Sequence, residues 1–305
     1  MISYRKRLLA STVTTIIGGV ALIAPQAASA QCAVAPGTVT CATTTTANTL
    51  NLGASPASDR HYTGDTSVAP FTATISSGAI IDGFGLAFTN TVIGSNTLNV
   101  INNGTVGVTA GNSPSQGGFA ALSITSNGAT PIVYSGTGSI NNQSVLPLGD
   151  GLFITANGSG SILATVGGNI TTVGPSSYGA FAQGTGSAGS VTLSTLAGTT
   201  VRAGSIGVYG LITNSSSIGA LNVTNGGTIL SSAGAPNTLD IGLLGNSNGS
   251  AAVSVTNNGA IGAALDRVDV GIEATIINAS SAATLTVNGS AASTIFAIRR
   301  DAGRA

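Results

Sequence analysis

Few residues of this chain could act as acids, bases or nucleophiles. Its one histidine, His61, lies in SDRHYTGD with Asp59, Arg60, Tyr62 and Asp65. A catalytic pair would need a serine beside the histidine, and no serine here has the G-x-S-x-G form in which hydrolases present that nucleophile. We therefore interpret SDRHYTGD as an exposed polar loop.

Glycan cleavage would need two carboxylates, one on each side of a glycosidic bond. Asp82 and Asp150 occupy the same point of two repeats, just before a GF or GL pair, while the repeat between them has Gly117 there. Strand spacing alone would separate the two carboxylates by about 10 Å. The acids of residues 266–269 fit a solvated loop. We expect no catalytic residue, cofactor or metal site; a β-helix polysaccharide hydrolase or lyase is the alternative.

The two cysteines, Cys32 and Cys41, lie in QCAVAPGTVTC, with Pro36 and Gly37 between them to turn the chain. A metal site would need further ligands close by, and the first ones, Asp59 and His61, follow only after a Thr-rich tract. A cysteine pair of this kind in an exported protein typically forms a disulfide. We predict one short disulfide loop.

The first 30 residues have the form of a secretory signal peptide. They comprise the basic head YRKR, an apolar stretch over residues 8–24 and a small-residue cleavage signal at Ala28 and Ala30. Ser and Thr interrupt the apolar stretch, which disfavours the alternative of a membrane anchor. We predict cleavage after Ala30 and Sec-type export machinery as a partner.

The composition excludes some partners and favours a folded chain. Only 6% of the residues are charged, against about 25% in an ordinary soluble domain, while 42% are hydrophobic and the mean hydropathy is +0.43. Disordered chains show the opposite combination. Cleavage removes three of the nine basic residues and none of the nine acidic ones, so the mature net charge is −3. We expect no nucleic-acid partner.

One plain phrase, of the type NNGAI, recurs along the chain about every 30 residues. Its copies span residues 76–80, 102–106, 137–140, 168–170, 197–201, 225–229 and 257–261. A second phrase, such as DGLFI or VGIEA, and a third alternating phrase, such as TLNVI, follow each copy. We predict that the last apolar residues of the copies stack in one column: Ile80, Val106, Ile140, Ile170, Val201, Ile229 and Ile261.

Three strand signals in each period of this length are typical of a solenoid. We predict an all-β fold, a right-handed parallel β-helix of about seven to eight coils with three short strands per coil. Alternate residues would fill the interior, Ser and Thr would face water, and Asn and Gly would take left-handed backbone angles at the corners. Asn-Gly is also a hairpin signal, so an antiparallel sandwich or barrel is the alternative.

The predicted organisation has four parts. Residues 1–30 form the signal peptide, 31–70 the disulfide loop and an N-terminal cap, 71–295 the β-helix, and 296–305 a C-terminal tail. We expect the last coil to leave an open strand edge, which the charged residues of the tail would protect.

Together, the signal peptide, QCAVAPGTVTC, and repeats of the NNGTV and VTNNGAI type with GFGLAF or GIEA phrases resemble the passenger domains of bacterial autotransporters, especially adhesin-like ones. The resemblance implies a passenger carried to the cell surface by a C-terminal outer-membrane barrel, for which this sequence has no candidate segment. We therefore expect a fragment, a truncated gene product or a passenger that uses an outer-membrane β-barrel translocator in trans.

From this resemblance we expect a structural or adhesive protein of the cell surface, outer membrane or medium, or of the periplasm if it has no translocator. Its partner would be a host or cell-surface ligand, or a second copy of itself. A non-functional remnant of an autotransporter is a further alternative.

Overall fold

The computed structural model describes residues 32–42, 61–67, 69–81, 83, 85–90, 93–108, 110, 120–145, 149–232, 235–236 and 238–297. All regular elements in these ranges are β-strands, which form three sheets. No helix in these ranges is long and apolar enough to cross a membrane. The predicted cleavage signal at Ala28 and Ala30 lies outside the described residues.

Sheet A has ten strands. In spatial order they are β1 (Ala33–Ala35), β2 (Thr38–Cys41), β4 (Phe71–Ile75), β7 (Leu98–Asn102), β10 (Ile132–Ser135), β13 (Ile162–Val166), β16 (Val191–Thr195), β19 (Leu221–Asn225), β22 (Val253–Asn257) and β25 (Leu285–Gly289).

Sheets B and C have eight strands each. Sheet B contains β3 (His61–Gly64), β6 (Leu86–Asn90), β9 (Ala120–Ser126), β12 (Asp150–Ala156), β15 (Tyr178–Gly184), β18 (Ile206–Ile212), β21 (Ile241–Ser247) and β24 (Val270–Ile276). Sheet C contains β5 (Ile80–Ile81), β8 (Thr105–Val108), β11 (Ser139–Asn142), β14 (Ile170–Thr172), β17 (Thr200–Ala203), β20 (Thr228–Ser231), β23 (Ala260–Ile261) and β26 (Thr294–Ile295).

The chain visits the sheets in the order A, C, B and then returns to sheet A one coil further along. Seven complete coils run from β4 to β24, and β2, β3, β25 and β26 belong to partial coils at the two ends. Equivalent strands of neighbouring coils pair in parallel, and β1 with β2 is the one antiparallel strand pair among the described residues. The predicted parallel β-helix is confirmed, and the antiparallel alternative is wrong.

The predicted apolar column runs along sheet C, with one correction. Val106, Ile140, Ile170, Val201, Ile229 and Ile261 are paired in sequence from coil to coil, and each is at most 1% exposed. The prediction of Ile80 is wrong: Ile81 pairs with Val106, and Ile80 is 47% exposed. Successive residues of a strand face opposite sides, so only one of two adjacent isoleucines can join the column.

The corners between sheets A and C contain a ladder of buried side chains. The Thr195 hydroxyl donates to Asn225 Oδ1 at 2.8 Å, and Asn225 Nδ2 donates to Asn257 Oδ1 at 2.8 Å. Asn225 Oδ1 also accepts the N–H of Gly227 at 3.1 Å. Because these polar groups are buried, the ladder satisfies donors that would otherwise destabilise the fold.

The corner glycines are required for a different reason from the one expected. Gly227 and Gly259 do not have left-handed backbone angles. A Cβ on Gly227 would lie 2.2 Å from the carbonyl oxygen of Thr199, and one on Gly259 would lie 1.9 Å from that of Gly227. The expectation of left-handed angles is therefore wrong at these two positions, where the close approach of successive coils leaves no room for a side chain.

At the N-terminal end, β1 and β2 form a hairpin around Pro36 and Gly37, and Gly37 has a φ of 73°. The predicted disulfide between Cys32 and Cys41 closes this hairpin. The Tyr62 hydroxyl accepts the Cys32 N–H at 3.1 Å, which ties the hairpin to sheet B. Antiparallel β1 thus occupies the edge of sheet A that a further parallel strand would need.

The C-terminal end of the described rod is more open. Leu285 and Val287 continue the interior columns of sheet A but are 44% and 52% exposed, and Ile295 continues the sheet C column at 46% exposure. Among the described residues, each of these side chains has a neighbouring coil on only one side, which leaves it exposed. Residues 298–305, and with them most of the predicted tail, lie outside the described part of the chain.

Candidate functional site

The site begins with a glycine bend near the start of five strands of sheet B. In β9 and β12, Asp150 pairs with Ala120 and Leu152 with Leu122, while Gly151 between them has no such partner. A Cβ on Gly151 would lie 2.3 Å from Cγ2 of the sheet C residue Ile170. The next four strands have equivalent glycines, at which a Cβ would meet the following members of the same column. These glycines are Gly179, Gly207, Gly242 and Gly271.

This bend decides which residues of sheet B face outward. Beyond it, Leu152 and Ile154 are fully buried, and Phe153 between them is partly exposed on the outer face. The parallel register repeats that outer position from coil to coil. It is occupied in turn by Ser123, Phe153, Phe181, Tyr209, Leu244 and Glu273.

Four aromatic rings lie together on this face, and we call Phe153, Tyr178, Phe181 and Tyr209 the aromatic ridge. The Phe181 ring centroid is 4.9 Å from that of Phe153 and 4.9 Å from that of Tyr209. Tyr178 lies beside them, with its centroid 5.5 Å from Phe181 and 5.6 Å from Tyr209. The ridge therefore extends over three consecutive coils, parallel to the axis of the solenoid.

Asp150, the first residue of β12, lies at one edge of the ridge and is 4% exposed. Its Oδ1 accepts the N–H of Tyr178 at 2.7 Å, and its main-chain carbonyl accepts Nδ2 of Asn142 at 2.7 Å. Burial raises the pKa of Asp150 to about 7, against the opposing effect of the Tyr178 hydrogen bond. This carboxyl group can therefore bind or release a proton near neutral pH.

The two tyrosines of the ridge respond to the same surroundings. Burial raises the pKa of Tyr178, and the nearby charge of Asp150 raises it further. Burial also raises the pKa of Tyr209, and Tyr178 and Glu273 raise it further by smaller amounts. A hydrogen bond with Asn246 lowers it. Both phenols are therefore neutral hydrogen-bonding groups at physiological pH.

Polar groups follow the ridge on its other side, two residues further along each strand. The register aligns Thr125, Thr155, Gln183, Leu211 and Asn246 there. Thr155 is 8% exposed, and its buried hydroxyl has no hydrogen-bond partner. The buried Oδ1 of Asn246 has none either. Unsatisfied buried polar atoms are uncommon, and here two of them flank an apolar surface.

The other predicted chemical groups do not form a site in the described part of the chain. Asp65 is exposed, and its Oδ1 accepts both the N–H and the hydroxyl of Ser67, which lowers its pKa. A depression of about 370 Å³ beside the hairpin is lined by Pro36, Gly37 and Phe71 as well as by Asp65. No group of three potential metal ligands occurs among the described residues.

The remaining candidates are placed only in part. His61 begins β3, while Asp59 and Asp82 lie outside the described residues, so the predicted alignment of Asp82 with Asp150 stays a prediction. Asp266 accepts the N–H of Ser231 in the preceding coil at 3.2 Å. That contact gives Asp266 a structural partner.

Sequence reasoning identified Asp150 but missed the aromatic ridge. The signal was present in GLFI, GAFA and GVYGL, where two adjacent large or apolar residues follow a glycine. An alternating strand can bury only one residue of each such pair, so the other must face outward. Which of the two is buried depends on the bend at the preceding glycine.

Compared with known proteins, the chain matches no family model, no curated sequence and no solved structure. The fold itself therefore defines the class: a parallel β-helix with three strands per coil and a disulfide-closed N-terminal hairpin.

Proposed function

We propose that this protein is an exported, passenger-like β-helix that adheres to a cell surface or an extracellular ligand and performs no catalysis. The observation that carries the proposal is the uncharged outer face repeated in register along the rod. On sheet A, one outer column consists of Thr72, Asn99, Val133, Leu163, Thr192, Asn222, Ser254 and Thr286.

Six of these eight side chains carry hydroxyl or amide groups. Such a row suits contact over a long surface, because each group contributes weakly and the row adds many such contacts. The disulfide between Cys32 and Cys41 supports export, since disulfides persist in oxidising compartments. Sec-type export machinery and an outer-membrane β-barrel translocator in trans are the proposed partners in transport. A cell-surface ligand or a second copy is the proposed binding partner.

Export and adhesion are tested with the full-length chain expressed in a Gram-negative bacterium. We expect mass spectrometry to find a mature N-terminus at Gln31 outside the cytoplasm, and beads coated with the secreted chain to adhere to cells. Beads coated with a β-helix protein of similar charge and no adhesive role are the control. Retention of the intact chain in the cytoplasm, or adhesion no greater than that of the control, would contradict the proposal.

Glycan cleavage is a second candidate, favoured by the protonatable Asp150 beside four aromatic rings. A carboxyl group kept neutral by an apolar surrounding can serve as a general acid towards a glycosidic oxygen. The reaction also needs a second carboxylate. Among the described acids of sheet B and its corners, the carboxylates of Asp240 and Glu273 lie three and four coils beyond Asp150. Strand spacing separates them from Asp150 by about 14 and 19 Å.

Release of reducing ends from neutral polysaccharides distinguishes this candidate from adhesion. If the protein is a hydrolase, Asp150→Asn abolishes that release, while Asp65→Asn, the same change at an exposed acid, leaves it intact. If the wild-type chain releases no reducing ends from any polysaccharide that it binds, the cleavage candidate fails and adhesion stands.

A further inference from the structure

We propose that the aromatic ridge is a binding site for a single, extended chain of neutral polysaccharide, which lies along the axis of the solenoid across the coils of β12, β15 and β18. This inference rests on the proposed adhesive function and adds to it a ligand class and a second contact surface beside the outer column of sheet A. It assigns the binding to the outer face of sheet B, where four rings interrupt a surface otherwise rich in Ser, Thr and Asn.

The repeat of the ridge favours a polymer. Ring centroids 4.9 Å apart in consecutive coils give a series of equivalent apolar steps along one line. Sugar rings have apolar C–H faces that pack against aromatic rings, and their hydroxyl groups project at the edges of those faces. Phe181 is only 4% exposed between its neighbours, so a polymer of sugars can contact the partly exposed rings of Phe153 and Tyr209 on either side of it.

The flanking polar groups suit the hydroxyl groups of such a chain. The buried Thr155 hydroxyl and the buried Asn246 Oδ1 have no partner within the protein. Thr155 and Asn246 lie two residues beyond the ring positions of Phe153 and Leu244 in their strands. On the opposite edge, Asp150 supplies a carboxyl group. Apolar platforms with a few well-placed polar groups are typical of ligand sites.

The small exposed area of the ridge argues against a second protein as the occupant. Phe181 is only 4% exposed, Leu244 6% and Ile206 8%, so the ridge is largely covered by its own neighbours. An aromatic side chain buries at most about 250 Å². Even three fully exposed rings would offer no more than about 750 Å², and the partly exposed rings of the ridge offer less, below the ~800 Å² that each partner of a stable protein complex contributes.

Charge disfavours an acidic polysaccharide. The described basic residues are Arg202 on sheet C and Arg267 in the segment before β24, and neither lies on a strand of sheet B. The ridge instead borders the carboxyl group of Asp150, and Glu273 lies in the same outer column one step beyond Leu244. A polyanion would meet no compensating cation there, and it would be repelled when Asp150 is ionised.

Sedimentation with insoluble polysaccharides tests the site directly. The purified full-length chain is mixed with cellulose, chitin or a linear β-1,3-glucan, and with cross-linked polygalacturonate as the acidic comparison. We expect the wild-type chain to sediment with at least one of the three neutral polymers and not with polygalacturonate. Tyrosine fluorescence should change on binding, since the chain has five tyrosines and no tryptophan.

Two ridge variants and one matched control assign the binding to this surface. Phe153→Ala combined with Tyr209→Ala should weaken binding at least tenfold. Phe153→Leu combined with Tyr209→Leu keeps most of the apolar volume and removes the rings, so it should also weaken binding while the thermal transition stays close to that of the wild type. Ile218→Ala removes an exposed apolar side chain from the segment between β18 and β19 and should bind as the wild type does.

Three results would overturn the proposal: no sedimentation of the wild-type chain with any neutral polymer, unchanged binding by the folded Leu variant, or a dimer that ultracentrifugation shows to dissociate in that variant. The proposed adhesive function fails separately. If wild-type beads do not adhere to cells, the adhesive function fails, and sedimentation still decides the ridge.

Discussion

The outer faces of sheets A and B come from strands of the same repeats, yet they present different surfaces. Sheet A alternates without interruption: Leu193 is fully buried, and its neighbours Thr192 and Ser194 face outward. Five strands of sheet B, from β12 to β24, begin with a glycine bend, and in three of them a ring such as Phe181 occupies the outer position after it. A bend of one residue thus places on the outer face residues that uninterrupted alternation would bury.

The difference follows from the geometry of the coil. Each glycine of the bend lies against the sheet C column, where a side chain would overlap Ile170 or its equivalents. In the strands from β12 to β24, the chain turns from sheet C into sheet B close to this column. Sheet A has no such approach within its strands, so its alternation follows the simple two-residue period.

The largest expected effect comes from filling the bend. In Gly179→Val, the Cβ would lie 2.3 Å from Val201 Cγ1 and 2.5 Å from the carbonyl oxygen of Gly207. We expect a loss of more than about 4 kcal/mol in the free energy of unfolding, measured by denaturant titration. Thr192→Val, on the outer face of sheet A, is the control and should change stability little. Equal losses in both variants would show that the bend imposes no special constraint.

Asp150→Asn should change how stability depends on pH. The folded-state pKa of about 7 lies above the ordinary value of 3.8, so the folded state holds this proton more tightly than the unfolded state. The resulting stabilisation is complete below about pH 4 and is lost as the pH rises through 7. A difference of about three pH units corresponds to at most roughly 4 kcal/mol.

We therefore expect the wild-type chain to be less stable at pH 8 than at pH 5 by a few kcal/mol, and Asp150→Asn to reduce that difference. The Asn side chain retains an oxygen that can accept the Tyr178 N–H. Thermal unfolding of both proteins across this pH range is the measurement. Parallel pH profiles would mean that Asp150 titrates at its ordinary pKa.

Truncation of a ring tests whether a residue on the outer face of sheet B stabilises the fold as much as a residue of the hydrophobic core does. Phe181 is 4% exposed and contacts three other rings, so Phe181→Ala should cost about 3 kcal/mol. Leu163→Ala, at a site on sheet A that is 50% exposed, should cost less than about 1 kcal/mol. Similar costs for the two changes would remove the energetic distinction between the faces.

The smallest effect is expected on the outer face of sheet A. Thr192→Ala removes a partly exposed side chain and should alter the free energy of unfolding by no more than about 0.5 kcal/mol. Chemical denaturation with the wild type measured in parallel resolves such a difference. A loss of 2 kcal/mol or more, well beyond the range typical of surface sites, would show that the hydroxyl rows stabilise the fold as well as providing a surface.

Much of the fold could be predicted because repetition encodes it. The recurring Val106, Ile140 and Ile170 positions predicted the column, since equivalent residues of a solenoid must stack. Ile80 and Ile81 show the limit: two adjacent isoleucines fit the repeat equally well, and only pairing with Thr105 and Val106 assigns each to a face. Cys32 and Cys41, with Pro36 and Gly37 between them, likewise predicted a short disulfide loop, which the structure shows to be a hairpin.

The candidate site was predictable only in its components. Asp150 was identified from its place in the repeat, but its burial and the N–H contact of Tyr178 depend on the strand of the next coil. The rings of Phe153, Phe181 and Tyr209 are separated along the chain by 28 residues at each step, and parallel pairing brings them into contact. A local pattern cannot specify such contacts.

By itself, then, the sequence determined the period, the three strands of each coil, the apolar interior and the disulfide-closed hairpin, because these follow from spacing and alternation along the chain. The tertiary structure alone decided which face of sheet B is aromatic and how deeply Asp150 is buried. The physical reason is that both depend on how closely one coil approaches the next. Glycines such as Gly151 and Gly179 lie where that approach leaves no room for a side chain.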